Sequence, residues 1–167
     1  MLKPIKPKSI RAGDGAFAIV ASQFNARYVD AMLRAARAEL KRAGVRQVTV
    51  VRVPGAYEIP VVVAHLARNA SAGWQADGDG GKLSAIICLG VILRGQTVHA
   101  AHIGEAVSRA LMEIQVRHEI PVIHEVLLLE NEEQARVRCL SKTHNRGTEA
   151  AQTALQIAKV LSQLHYR

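Results

Sequence analysis

The stretch Leu83-Ser-Ala-Ile-Ile-Cys-Leu-Gly-Val-Ile-Leu-Arg-Gly-Gln-Thr-Val-His99 decides the fold of this 167-residue chain. The apolar run from Leu83 to Ile92 reads as a strand buried on both faces, the kind found in parallel sheets covered by helices. A small-residue loop follows, and a helical pattern opens at His99. Strand, loop and helix start together present backbone N–H groups to an anion. His99 adds a proton carrier on the first turn, a few residues from that anion site.

Outward from this segment the apolar period switches repeatedly between two and 3.6. Ala16–Ala21 reads as a short buried strand, and Asn25 as the cap of a helix whose stripe is Val29, Met32/Leu33, Ala36, Leu40 and Ala43, ended by Gly44. Gln47–Val53 is a β-branched second strand. After Pro54-Gly55 a helix runs to about Ala70, and Gly73–Lys82, rich in Gly and Asp, reads as a flexible loop. The helix from His99 to about Glu119 has the stripe Ile103, Ala106/Val107, Ala110/Leu111, Ile114. Pro121 opens a fourth strand to Leu129, and helices over Glu132–Leu140 and Arg146–Leu164 close the chain. Strand and helix alternating in this way predict a three-layer α/β/α sandwich on a four-stranded parallel, flavodoxin-like sheet. Ligands of such sheets bind beyond the carboxyl ends of the strands. The loops at Ser22–Asn25, Pro54–Glu58, Leu93–Thr97 and Glu130-Asn131 all fall there, so four loops build one pocket.

Composition narrows the class. At 49% hydrophobic the chain can bury a full core without metals or disulfides. One domain over residues 13–167 is expected, preceded by a basic, flexible tail over residues 1–12. No apolar run is long enough for a membrane span and no secretory h-region precedes the domain, so a cytoplasmic protein is expected. Cys88 and Cys139 lack metal-ligand spacing and read as buried thiols, and neither metal nor cofactor is indicated. The net charge of +8 invites a nucleic-acid reading, but Lys3, Lys6, Lys8 and Arg11 supply half of it. Aromatic residues are only 4% of the chain, too few for base-stacking platforms, so RNA binding is disfavoured and a phosphorylated metabolite fits better.

The strand-end motifs carry a resemblance. Phe24-Asn25, Val53-Pro-Gly-Ala-Tyr-Glu-Ile-Pro60, Leu89-Gly90 with Arg94-Gly-Gln-Thr-Val-His99, Glu130-Asn-Glu-Glu-Gln-Ala135, Arg138 and Asn145-Arg-Gly-Thr-Glu-Ala-Ala151 resemble the lumazine synthase family in order and spacing, from about Phe17 to Ala158. The resemblance implies condensation of 5-amino-6-(D-ribitylamino)uracil with 3,4-dihydroxy-2-butanone 4-phosphate to 6,7-dimethyl-8-ribityllumazine, the penultimate step of riboflavin biosynthesis.

It also implies roles. Phe24 stacks on the pyrimidinedione, the loop of Ala56, Tyr57 and Glu58 holds ring and ribityl chain, and backbone groups of Val91, Ile92 and Leu93 form the second edge of that site. Gln96 and Thr97 take the phosphate through backbone N–H groups, and Arg138, from the neighbouring subunit, completes the clamp with a planar fork. His99 is the catalytic acid–base group. His124 occupies a place that is often phenylalanine against the pyrimidine. The family commonly follows its histidine with an aromatic and an acid, where this chain has Ala100-Ala101-His102, and Leu127-Leu128-Leu129 replaces a common Leu-Thr-Thr. Those departures motivate an alternative, a non-catalytic or weakly active paralogue that binds flavin or lumazine. A homopentamer or decamer with sites between subunits is expected, not a capsid, because the family's glycine-rich turn is here Leu140-Ser-Lys-Thr-His144 and Pro4 and Pro7 oppose strand pairing. Small-molecule substrates are the partners, with riboflavin synthase a further candidate and no nucleic acid or membrane.

Overall fold

The β-branched runs line up as one sheet, and each helical stripe closes over one of its faces. The computed structural model describes residues 15–71 and 82–164. Strands β1 (Ala16–Ser22), β2 (Val48–Val53), β3 (Leu83–Leu93) and β4 (Val122–Leu129) alternate with helices α1 (Ala26–Arg42), α2 (Ile59–Ser71) and α3 (His99–His118), and α4 (Glu132–Ala135) and α5 (Arg146–Leu164) follow. All pairings are parallel, in the order β2-β1-β3-β4.

Side-chain alternation along β3 explains the three layers. Ala85, Ile87, Leu89 and Val91 pack with Val29, Met32, Ala36 and Leu40 of α1 and Ala151 and Leu155 of α5. Ile86, Cys88 and Ile92 point the other way, to Ile59 and Val63 of α2 and Val107 and Leu111 of α3. At Gly90 an added Cβ would lie 3.0 Å from Val126 and 3.4 Å from Ile59, so the absent side chain lets α2 approach the sheet. The expected α/β/α sandwich is therefore what forms, with both thiols free and buried. No helix among the described residues is long and apolar enough to cross a membrane.

Local differences have local causes. Asn25, expected to cap α1, sits at φ 56° and makes no capping bond; its amide instead donates to the Val91 carbonyl at 2.8 Å. Asparagine tolerates that left-handed conformation, and the tertiary bond outweighs the cap. The helix expected directly after Pro54-Gly55 begins as a 3-10 turn, Ala56–Glu58, because the Glu58 carboxylate accepts from the Gly55 N–H at 2.8 Å. Pro60 then falls in the first turn of α2, where no N–H is needed. The helix expected over Glu132–Leu140 is split, with α4 ending at Ala135 and Arg136–Leu140 forming a π-helical turn that keeps Cys139 buried. Ala106, placed in the α3 stripe, is exposed, since Ile103, Val107, Leu111 and Ile114 already form the line that meets the sheet. The expected tail over residues 1–12 and nearly all of the Gly73–Lys82 loop lie outside the described residues.

Candidate active site

The four strand-end loops are stitched to one another by backbone and side-chain bonds. After β1, the Gln23 N–H donates to the Val53 carbonyl at 2.8 Å and the Phe24 N–H to the Pro54 carbonyl at 3.0 Å, tying the first loop to the second. The Asn25 amide ties the first loop to β3 through Val91. The Arg94 N–H donates to the Leu129 carbonyl at 2.8 Å, and its guanidinium meets Glu130 at 2.9 Å, tying the third loop to the fourth. Parallel strands bring all four ends to one edge, and these bonds fix their mutual height.

Around this edge the side chains divide by exposure. Phe24 is 71% and Tyr57 63% exposed, an unusual state for large rings in a chain with few aromatics. Ala56 and Glu58 are half-buried beside them. One Glu58 oxygen is committed to the Gly55 N–H, which fixes the carboxylate and leaves Oε1 without a hydrogen bond among the described residues. Val91 and Ile92 are buried in opposite cores and Leu93 is half-buried at the rim; the Val91 carbonyl already accepts from Asn25.

Gly95, Gln96, Thr97, Val98 and His99 are exposed where α3 begins. Val98 provides no side-chain cap and no acidic residue stands in the first turn, so the helix start keeps free donors and positive potential for an anion. Nothing within 4 Å would meet a Cβ at Gly95, so the loop is open there. His99 makes no hydrogen bond among the described residues, and His102 lies exposed on the same helix.

One chain does not gather every expected residue. Arg138 is on the π turn, whose Cys139 and Leu140 pack with α1 and α5, whereas Gln96–His99 open α3 on the opposite side of the sheet. Arg138 is half-buried and makes no hydrogen bond or ion pair among the described residues. His124 sits mid-strand opposite Cys88, exposed, with Nε2 2.8 Å from the Ser108 hydroxyl of α3. Among the described residues no group of three or more His, Cys, Asp or Glu is placed to hold a metal ion.

Sequence reasoning missed the stitching. The Arg94–Glu130 pair had a signal, two opposite charges at adjacent strand ends, whereas the Asn25–Val91 bond spans 66 positions and had none. Also unforeseen was Glu125, buried on β4, whose carboxylate accepts from Arg146 at 3.0 Å.

Comparison with known proteins gives the family. The profile of the family described as 6,7-dimethyl-8-ribityllumazine synthase matches residues 14–162. A protein of that name from Xanthomonas campestris pv. campestris (strain B100) is 35% identical over 157 residues, covering 93% of this chain and 95% of its own. Namesakes from Xanthomonas oryzae pv. oryzae (strain PXO99A) and Xanthomonas euvesicatoria pv. vesicatoria (strain 85-10) are 34% identical with the same coverage. On a match of this extent, the chain belongs to the 6,7-dimethyl-8-ribityllumazine synthase family.

Proposed function

We infer that this protein is a transferase that condenses 5-amino-6-(D-ribitylamino)uracil with 3,4-dihydroxy-2-butanone 4-phosphate, releasing phosphate and two waters to give 6,7-dimethyl-8-ribityllumazine in riboflavin biosynthesis. The observation that carries the reading is the single mouth made by the stitched loops, together with a family match that spans all four of them. Relatives that cover nearly the whole chain bear the enzyme's name, which favours catalysis over a role limited to binding flavin or lumazine.

Each loop has a chemical task. Exposed Phe24 offers a flat face to the pyrimidinedione, with backbone of Val91–Leu93 along the ring's other edge. Ala56 and Tyr57 flank the ribityl chain, and the free Oε1 of Glu58 accepts from its hydroxyls. The butanone phosphate lies on the N–H groups of Gln96 and Thr97 at the uncapped start of α3. His99, one turn away, takes the proton of the attacking amine and returns protons as the carbinolamine loses water, phosphate leaves and the ring closes with loss of a second water. Much of the acceleration comes from holding two reactants in contact, because that alone replaces a bimolecular encounter.

Arg138 fits the same site from a neighbouring subunit, and His124 stands where the family often has phenylalanine against the pyrimidine. The separation of Arg138 from the α3 start across the sheet supports that, and favours a homo-oligomer with shared sites, a pentamer or a decamer. Riboflavin synthase is a chemically reasonable partner, since it consumes the product, and a cytoplasmic setting belongs to the same reading.

The test is steady-state kinetics of His99→Ala and Arg138→Ala. Arg138→Ala should raise KM for the butanone phosphate tenfold or more, taking about 1.5–3 kcal/mol for a charged hydrogen-bonding partner. His99→Ala should lower kcat with KM little changed. Wild-type KM in Arg138→Ala would remove the phosphate assignment.

A further inference from the structure

We propose that Glu125 is a positioning residue for Arg138: through Arg146 it anchors the turn that carries this arginine and sets the charge behind it, so that phosphate binding weakens as Glu125 ionises. The inference rests on Arg138 meeting the substrate phosphate.

Glu125 is buried in β4 on the side of α1 and α5, with Leu89 of β3 opposite it. Its carboxylate accepts from Arg146 Nε at 3.0 Å, and Arg146 also donates to Glu149 at 2.6 Å. The residue before Arg146 closes the link. The Asn145 amide donates to the Cys139 carbonyl, and its oxygen accepts from the Gly147 N–H at 2.9 Å. The carbonyl held in this way belongs to the neighbour of Arg138, so the Glu125–Arg146 pair fixes the start of α5 and the start of α5 fixes the π turn.

The charges that act on Glu125 come from Arg146 and Glu149 of α5 and Arg138 of the turn, while Cys139, with its thiol pushed up to about 12 chiefly by burial, stays neutral. Burial pushes the Glu125 carboxyl up to about 7, against the pull of Arg146 and Arg138. Near neutrality it therefore exists in both forms. When ionised it offsets part of the positive field of the two guanidiniums; when protonated it leaves that field to the phosphate.

The experiment measures KM for the butanone phosphate between pH 5.5 and 8.5 in wild type, Glu125→Gln and Glu149→Gln. Dividing the wild-type KM by that of Glu125→Gln at each pH cancels the titrations of the phosphate and of His99. The ratio should be near one at pH 5.5 and rise to about three at pH 8.5, with kcat within about twofold, as expected for one charge at a screened distance. Glu149→Gln removes a carboxylate that opposes Glu125 ionisation, so the midpoint of the rise should move to lower pH. A ratio constant across the range overturns the proposal; if Glu125→Gln does not fold, the KM of Glu149→Gln divided by that of wild type is read instead, expected to pass through a maximum near neutral pH, and a value flat with pH overturns the proposal. Arg138→Ala separates the two claims. An unchanged KM there removes the phosphate role itself, whereas a raised KM with a flat ratio removes only the part assigned to Glu125.

Discussion

Gly147, in the first turn of α5, is predicted to be a residue whose replacement by alanine separates two helices. An added Cβ would lie 2.0 Å from the carbonyl oxygen of Met32 and 2.6 Å from its carbon, and both are backbone atoms of α1 that no rotamer change can move. Restoring ordinary contact displaces α5 from α1 by about 1.4 Å, and a gap of about 1 Å already forfeits a quarter to a half of the attraction between facing atoms. Val29, Met32, Leu40 and Leu155, all buried, span this interface. At about 2 kcal/mol each for burial, the loss is about 2–4 kcal/mol. The assay is urea unfolding followed by far-ultraviolet circular dichroism at fixed protein concentration, because subunit association feeds into apparent stability. The midpoint of Gly147→Ala should fall by about 1–2 M with the slope unchanged. A midpoint equal to wild type would show that the helices do not meet as closely as described, and the reasoning would fail.

Other substitutions probe other links. Gly95→Ala meets no atom within 4 Å, so stability should stay within about 0.5 kcal/mol of wild type while KM for the butanone phosphate rises, read by unfolding and kinetics on one preparation. Asn25→Ala loses the bond to Val91 and places alanine at φ 56°, which together should cost about 2 kcal/mol in the same unfolding assay. Glu125→Gln should remove a pH dependence of stability whose direction is defined. Folding raises this carboxyl from 4.5 to about 7, so the folded state holds the proton more tightly and stability is lost as pH rises through that window. Burial is the largest cause, so the neutral amide should be more stable than wild type by about 3 kcal/mol at pH 8 and nearly equal at pH 4.5.

The architecture was legible because burial on both faces leaves a plain mark. The run in β3 had no polar alternation, and the α1 stripe of Val29, Met32, Ala36 and Leu40 fell on one face at helical spacing, all of it buried in the structure. Choices decided by tertiary bonds were not legible. Asn25 looks like a cap, and only the fold brings Val91 within its reach. Glu132–Leu140 has one helical period throughout, and nothing in that period marks where the π turn begins. The strand-end loops could be placed along the chain, but the bonds that set their heights join distant positions. Glu125 was missed for a related reason: a lone acid in a strand reads as a solvent-facing residue until its partner, Arg146, is seen on α5.

The central claim is that this chain accelerates formation of the lumazine from its two precursors. The most direct test mixes purified protein with both substrates and follows lumazine absorbance against a control without protein, which subtracts any uncatalysed condensation. The account predicts a saturable rate above the control that scales with protein concentration. A rate equal to the control, with riboflavin or lumazine nonetheless bound tightly, would contradict it and mark the protein as a binder of the same ligands.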